Sequence, residues 1–393
     1  MAETFDYIVI GGGVMGASIA YQLAKQKVGH VLLLERQAIC NGTTARSGAI
    51  VRQHYSNDFT VRMAKESLHI FQHFDEMIGG DCGFVTTGML VITDESGAET
   101  LRANVALQQA EGVDTRLLAP TEISEVVPGY SGEGAALACY EVEAGVADPM
   151  ATTYCFAQRA KDYGATIYEG RAVTGILTQH ERVTGVETEQ GTLLAPNIVV
   201  AANAWSGALV QPLGIMLPIT ATRHPMLALR RPDDLGGRYG MHVVSLDLRH
   251  GIYLRPDLGG ITLVGSTDNV LTASDPDHYE QGLSEHEIAF FREKAGECLL
   301  GLRRAVPRGG WAGIYDDTPD YHPMLGKLPG YEGLYCAAGF SGHGFKLSPV
   351  IGQWMAQLIT TGQQPEDMGP FSYERFAQGH EIRPLYSSSG VLG

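Results

Sequence analysis

The chain has 393 residues, with 44 acidic against 28 basic side chains and a formal net charge of −16. That balance argues against a nucleic-acid or anionic-membrane binder, which needs clustered Lys and Arg, and no apolar run approaches a membrane span. The length suffices for two domains with full cores. Six cysteines (Cys40, Cys82, Cys139, Cys155, Cys298, Cys336) show no CxxC spacing. They are read as reduced, mostly structural thiols of a cytoplasmic enzyme, with neither a disulfide frame nor a metal site. The N-terminus passes at once into a strand, leaving no room expected for a signal peptide.

Four apolar residues, Tyr7 to Ile10, run straight into Gly11-x-Gly13-x-x-Gly16. Apolar residues at helical spacing follow (Val14, Ala17, Ala20, Leu23, Ala24), then Gly29, then Val31 to Leu34, closed by Glu35. The pattern predicts strand, tight turn, helix and strand, with glycines where the backbone must come close to a pyrophosphate at the helix N-terminus. Glu35 ends the second strand, where an acid accepts hydrogen bonds from the adenosine ribose. This is the signature of a dinucleotide-binding protein.

Gly42-Thr-Thr-Ala-Arg-Ser-Gly48 is a loop of small and hydroxylic residues, suited equally to a cofactor approach and to a surface turn. A helix is predicted over about 57–78, a strand over 88–93 and a charged helix over 98–111. Asp148-Pro149 opens another helix, Asp as N-cap and Pro in the first turn, running to about 163. Strands are expected at 166–168, 173–179, 183–187 and 198–202. Residues 218–314 read as β-rich, interrupted by one acidic helix over 284–300. Arg223 and Arg255 are further cations there with no assignable place.

Near the C-terminus a short buried-type strand, 334–338, leads into Gly339-Phe-Ser-Gly-His-Gly344-Phe-Lys346. The next helix is predicted to begin at Ser348-Pro349, Ser as N-cap and Pro at N1, with Val350, Ile351, Trp354, Met355, Leu358 and Ile359 on its apolar face. A second glycine-rich loop feeding a helix N-terminus is not needed for nicotinamide. It suits a flavin, whose reduced ring carries negative charge that a helix N-terminus stabilises. It is not a hydrolase elbow, because His343 stands where GxSxG needs its second glycine.

At these residues, together with Ile50-Val-Arg52, Gly251-Ile-Tyr253 and Tyr315-x-x-Thr-Pro-Asp320, the chain resembles the D-amino-acid-oxidase-like FAD oxidoreductases, in particular the sarcosine oxidase and dehydrogenase group. The resemblance covers nearly the whole length. It implies an α/β FAD-binding Rossmann-like domain plus an α+β substrate domain with a mainly antiparallel sheet. The FAD-binding domain is expected to comprise 1–84, 147–216 and 317–393, and the substrate domain 85–146 and 217–316.

Carried over by motif, the FAD contacts fall on Gly11, Gly13, Val14, Met15, Gly16, Glu35, Arg36, Thr43, Thr44, Ser47, Gly48, Val173, Gly313, Gly339, Gly342, His343, Gly344, Phe345 and Lys346. Arg52 and Lys346 resemble the pair that binds a substrate carboxylate, for which Arg offers a bidentate fork. Tyr253 and Tyr315 match aromatic positions of the substrate cavity, or are simply core tyrosines. His343 is either catalytic or there for the geometry of its loop.

Three departures shape the expectation. Gly313 stands where covalently flavinylated relatives carry Cys, and Arg46 where others attach FAD through His, so the FAD is expected to be non-covalent. The strand 261–264 lacks the lysine that monomeric oxidases place over the flavin, which implies weak oxygen reactivity.

The implied reaction is oxidation of a secondary amino acid, N-methyl or cyclic, by hydride transfer to flavin N5, giving an imine that hydrolyses. The expected partner is a small carboxylate-bearing amine, with a partner subunit or homo-oligomer left open. One alternative is a 2-hydroxy-acid dehydrogenase, which would want His343 or His54 as base. The other is a flavin-carrying electron-transfer subunit.

Overall fold

The computed structural model describes residues 2–235, 240–267, 271–272 and 275–383. Its centre is a six-stranded sheet in the order Thr166–Tyr168, Val31–Leu34, Tyr7–Ile10, Ile198–Val200, Leu334–Ala338, Met324–Lys327. The first five strands are parallel, and Met324–Lys327 runs antiparallel at the edge. Val31–Leu34 and Leu334–Ala338 are buried at every residue, as parallel strands covered on both faces must be. Helices Val14–Lys25, Pro149–Asp162 and Gly344–Thr361 pack together over one face. An antiparallel sheet of Glu3–Thr4, Gly191–Leu194, Arg182–Thr188 and Val173–Gln179 lies with Val183, Val186 and Leu193 in the core over the other.

The second body is a nine-stranded, mainly antiparallel sheet built from 89–93, 115–118, 137–141 and strands between 220 and 317. Its long strand Thr220–Arg230 pairs with Val306–Asp317 on one side and with Ile261–Ser266 on the other. Side chains alternate across it. Leu227, Leu229, Ile252 and Leu254 meet the helix Glu285–Cys298, while Met226, Ala228 and Tyr253 belong to the opposite core.

Two predicted helices have different limits. The 57–78 helix divides into Asp58–Gln72 and Phe74–Met77, because His73 leaves helical dihedrals and its Nδ1 sits 3.0 Å from the His69 carbonyl that its backbone N–H also uses. The last long helix begins at Gly344, four residues before Ser348, and holds Pro349 in its interior. Proline cannot donate to the carbonyl of Phe345, four residues back, and the Ser348 hydroxyl donates to that oxygen instead at 2.8 Å. Ser18 in turn donates to the Ser348 carbonyl at 2.8 Å, binding this helix to Val14–Lys25.

Candidate active site

Two helix N-termini far apart in sequence open onto one cavity of about 440 Å³ between the sheets. At the first, Gly13 is the N-cap and has no side chain of its own to cap the helix, and no acid lies in the first turn. Gly16 is obligatory here, since a Cβ would lie 1.9 Å from the Gly11 carbonyl oxygen. At the second, His343 is the N-cap, again without a side-chain cap or an acid in the first turn. The loop before it passes Gly342 at φ +84°, where a Cβ would fall 2.4 Å from the Tyr315 ring. Both ends therefore present backbone N–H groups and positive dipole to the space between them.

Of the residues named from the sequence, Gly11, Gly13, Val14, Met15, Glu35, Arg36, Thr43, Thr44, Ser47, Val173, Gly313, Gly342, Gly344 and Phe345 line this cavity, with Tyr253 and Tyr315. Glu35 accepts from the backbone N–H of Gly12 at 2.7 Å and of Gln37 at 2.8 Å, so its carboxylate fixes the turn while keeping lone pairs for a diol. Thr44 Oγ1 accepts from Val14 N at 3.2 Å, and Thr43 donates to the Ile314 carbonyl at 3.0 Å. Gly16 and Gly339 act behind the wall. Gly339 N donates to Asp316 at 2.6 Å, fixing the loop to the end of the Val306–Asp317 strand. Burial pushes the Asp316 carboxyl up to about 7.

A smaller chamber of about 60 Å³ shares Ser47, Tyr253, Tyr315, Gly342 and Phe345 with the main cavity and adds Gly48, Arg52, Lys346 and Ser341. Arg52 and Lys346 are only 4% and 7% exposed. Burial, and then the charge of Arg52, hold Lys346 well below the ordinary lysine range. Arg52 lies over the Tyr55 ring at 4.4 Å and donates to the His54 carbonyl. Behind it, buried Glu141 accepts from Gln53 N at 2.8 Å, its carboxyl raised to about 7 by burial and drawn back by those bonds and by Arg52. Tyr253 is raised well above the usual phenol and Tyr315 to about 12, both by burial, so both keep their protons.

The histidines fall elsewhere than the sequence suggested. His343 does not line either chamber; its Nδ1 lies 3.2 Å from the Tyr55 hydroxyl. His54 is fully buried, with burial first and Arg52 second lowering it to about 3. Arg223 and Arg255 are structural. Arg223 is spent on Glu287 and the Glu280 and Gly282 carbonyls, Arg255 on Asp257 and the Gly48 and Ala147 carbonyls. None of Ile261, Thr262, Leu263 or Val264 reaches the cavity, whose wall on that side is His224, Met226 and Tyr253. Reading the sequence missed His224, Asp316 and Trp205, over which Arg36 stacks at 4.2 Å. Only strand register brings the first two to the wall.

The cavity suits FAD, a long ligand with a pyrophosphate at one helix N-terminus and an electron-rich ring at the other. Residues 6–358 match the family model for FAD dependent oxidoreductases. The chain is 30% identical to sarcosine oxidase subunit beta of Arthrobacter sp over 391 residues, covering 97% of this chain and 93% of that one. Against mitochondrial sarcosine dehydrogenase of Mus musculus it is 26% identical over 96% of its own length but spans 42% of that protein. Its fold superposes on L-proline dehydrogenase from P. horikoshii with a TM-score of 0.89 at 29% identity, covering 98% and 100% of the two chains. Among the described residues, no helix is long and apolar enough to cross a membrane. With the family match spanning most of the chain and two glycine-led helix ends meeting at one cavity, the protein belongs to the D-amino-acid-oxidase-like FAD-dependent oxidoreductases.

Proposed function

We propose that the chain oxidises a small secondary amino acid, N-methylated or cyclic, to an imine that water then hydrolyses. The observation that carries this reading is the Arg52–Lys346 pair, two buried cations in a chamber walled by two tyrosines beside the long cavity. Two buried like charges are costly, and a carboxylate that accepts from both relieves that cost. FAD supplies the two-electron acceptor. The protein's part is to hold the carboxylate through Arg52 and Lys346, keep water from the reacting carbon with Tyr253, Tyr315 and Phe345, and fix the substrate's approach. The named activities of the relatives, sarcosine and proline oxidation, support a nitrogen carrying a carbon substituent. Neither His54 nor His343, the bases a hydroxy acid was expected to use, lines the chamber.

The same reading takes FAD as non-covalent, since Gly313 and Arg46 face one another at the wall, a Cβ on Gly313 lying 3.3 Å from that of Arg46. It takes the enzyme as cytoplasmic, where its six free cysteines stay reduced. Anaerobic bleaching of the flavin by sarcosine, L-proline, glycine and 2-hydroxyglutarate tests the reaction without assuming an acceptor. Bleaching by the first two supports it, and bleaching by 2-hydroxyglutarate alone overturns it. The printed subunit name of the Arthrobacter relative favours a second possibility, a chain that works in a larger assembly, which light scattering on the native protein decides.

A further inference from the structure

A chain of hydrogen bonds leaves the cavity wall and ends on a buried acid. His224, 9% exposed, lines the cavity and stacks on Tyr315 with ring centroids 3.7 Å apart and planes 17° from parallel. Its Nε2 lies 2.9 Å from Thr222 Oγ1, and the Thr222 hydroxyl donates to Asp317 Oδ2 at 2.6 Å. Strand register puts this together: Thr222 pairs with Tyr315, Thr220 with Asp317, and His224 with Gly313.

A hydroxyl has one hydrogen. When Asp317 is ionised, Thr222 must donate to it, and the 2.9 Å contact then requires a hydrogen on His224 Nε2. The neutral imidazole is thereby fixed with its lone pair on Nδ1. Among the described residues, His224 makes no other hydrogen bond, and Nδ1 is not among the buried atoms left without a partner. Burial lowers His224 to about 4 and raises Asp317 to about 6, so a proton entering at the ring is held better by the carboxylate.

We propose that His224 is a catalytic residue that accepts the proton of the substrate amine at Nδ1, with Thr222 and Asp317 as the positioning residues that carry the proton inward. An amino acid reaches the site as an ammonium, and only loss of an N–H proton frees the nitrogen lone pair that expels the hydride from the adjacent carbon. As the ammonium N–H bond breaks, Nδ1–H forms on His224. The Nε2 proton moves to Thr222 Oγ1, and the Thr222 hydroxyl proton to Asp317 Oδ2. The imidazole ends neutral and Asp317 ends protonated, so charge and protons balance. The cations Arg52 and Lys346 and the loss of water both favour the neutral amine. The inference rests on the amine reading above.

The titratable groups that feel Asp317 are Asp316 and Tyr315 on its own strand; on the paired strand Arg223 is held by Glu287. Burial raises Asp317 and the Thr222 hydroxyl opposes it, while the Asp317 charge in turn raises Asp316 and Tyr315.

The test combines Thr222→Val, Asp317→Asn and His224→Gln. The anaerobic flavin-reduction rate with sarcosine or L-proline is followed from pH 5 to 9, and the histidine tautomer is read by nitrogen NMR on the same protein without substrate. Thr222→Val removes the relay hydroxyl at nearly constant volume and is expected to slow reduction about 100-fold. Asp317→Asn is expected to abolish the acidic limb of the profile near pH 6, and FAD content serves to check folding. The wild type is expected to show His224 as the Nε2–H form, and Thr222→Val to lose that preference. An unchanged rate and profile in Thr222→Val, or a wild-type Nδ1–H tautomer at pH 7.5, overturns the relay. If no secondary amine reduces the wild-type flavin, the amine reading falls, and with it the catalytic assignment, while the tautomer still decides the geometry.

Discussion

The two sheets serve the cavity by opposite means. At the six-stranded sheet the ligand meets main chain: glycine turns, helix N-termini and backbone N–H groups, with side chains such as Glu35 and Thr44 turned back to brace the turn itself. At the nine-stranded sheet it meets side chains, Tyr253, His224, Met226 and Tyr315, standing on paired strands. A cofactor common to a family is held by what every residue has; a substrate is chosen by what particular residues carry.

The comparison can be broken first where the effect is largest. Arg375 donates to both oxygens of buried Asp320, at 2.7 and 2.9 Å, and to the Pro323, His322 and Phe371 carbonyls. Arg375→Ala leaves that acid buried without its cation, at a cost of about 3–5 kcal/mol. Thermal unfolding should move down by several degrees while the kcat/KM of the FAD-loaded fraction holds. A stable variant with altered kcat/KM would mean that the Arg375–Asp320 pair shapes the substrate site and not only the fold. Next comes Gly16→Ala, whose methyl meets main chain. A cost of up to about 3 kcal/mol is expected, read as loss of FAD after gel filtration with hydrogen-exchange protection kept in the nine-stranded sheet.

Where the two halves meet, with Arg52 just past the short strand Ile50–Val51 and Lys346 in the helix Gly344–Thr361, Arg52→Ala or Lys346→Ala should lose about 1.5–3 kcal/mol in kcat/KM, roughly tenfold to a hundredfold, with FAD content near normal. If both variants keep wild-type kinetics on every amino acid that bleaches the flavin, the carboxylate clamp is wrong.

The smallest effect is one of pH. His242, buried, bonds the Val243 carbonyl and Thr262 at 2.7 and 2.8 Å, and burial lowers it to about 4 from 6.5. Unfolding therefore takes up a proton between those values. The stabilising contribution of the neutral ring, complete above pH 6.5, is lost as the pH falls through about 4. Over that window, the Tm of His242→Gln should fall less steeply than the wild type's. Parallel curves would mean that His242 is not the group that titrates.

Much of the cofactor side was legible because its signals are local. Gly11 to Glu35 is contiguous, and Asp148-Pro149 behaves as read, Asp148 accepting from Met150 N and Ala151 N at 2.8 Å each. Ser348-Pro349 carries the same local signal and misleads, because a seryl hydroxyl and a contact from Ser18 rescue proline inside a helix, and neither is visible in the dipeptide. Arg52 and Lys346 were found through motif resemblance. His224, Thr222 and Asp317 were not, since what joins them is the register of two strands some 90 residues apart, and nothing in one strand specifies the partner of the other. Arg223 shows the converse: a cation in a suggestive position whose charge is already claimed by Glu287.

The strand order of the central sheet also sets a timetable. Tyr7–Ile10 is made first, yet its neighbour Ile198–Val200 follows almost 200 residues later, and Leu334–Ala338 comes later still. Contacts of such separation close slowly. The nine-stranded sheet lacks only its Val306–Asp317 strand when the first 300 residues are out, whereas the parallel sheet waits for Leu334–Ala338 and its last covering helix for Gly344–Thr361. The first dinucleotide turn therefore leaves the ribosome with one flank of its sheet unpaired, and the cavity it serves is complete only when the second glycine loop arrives.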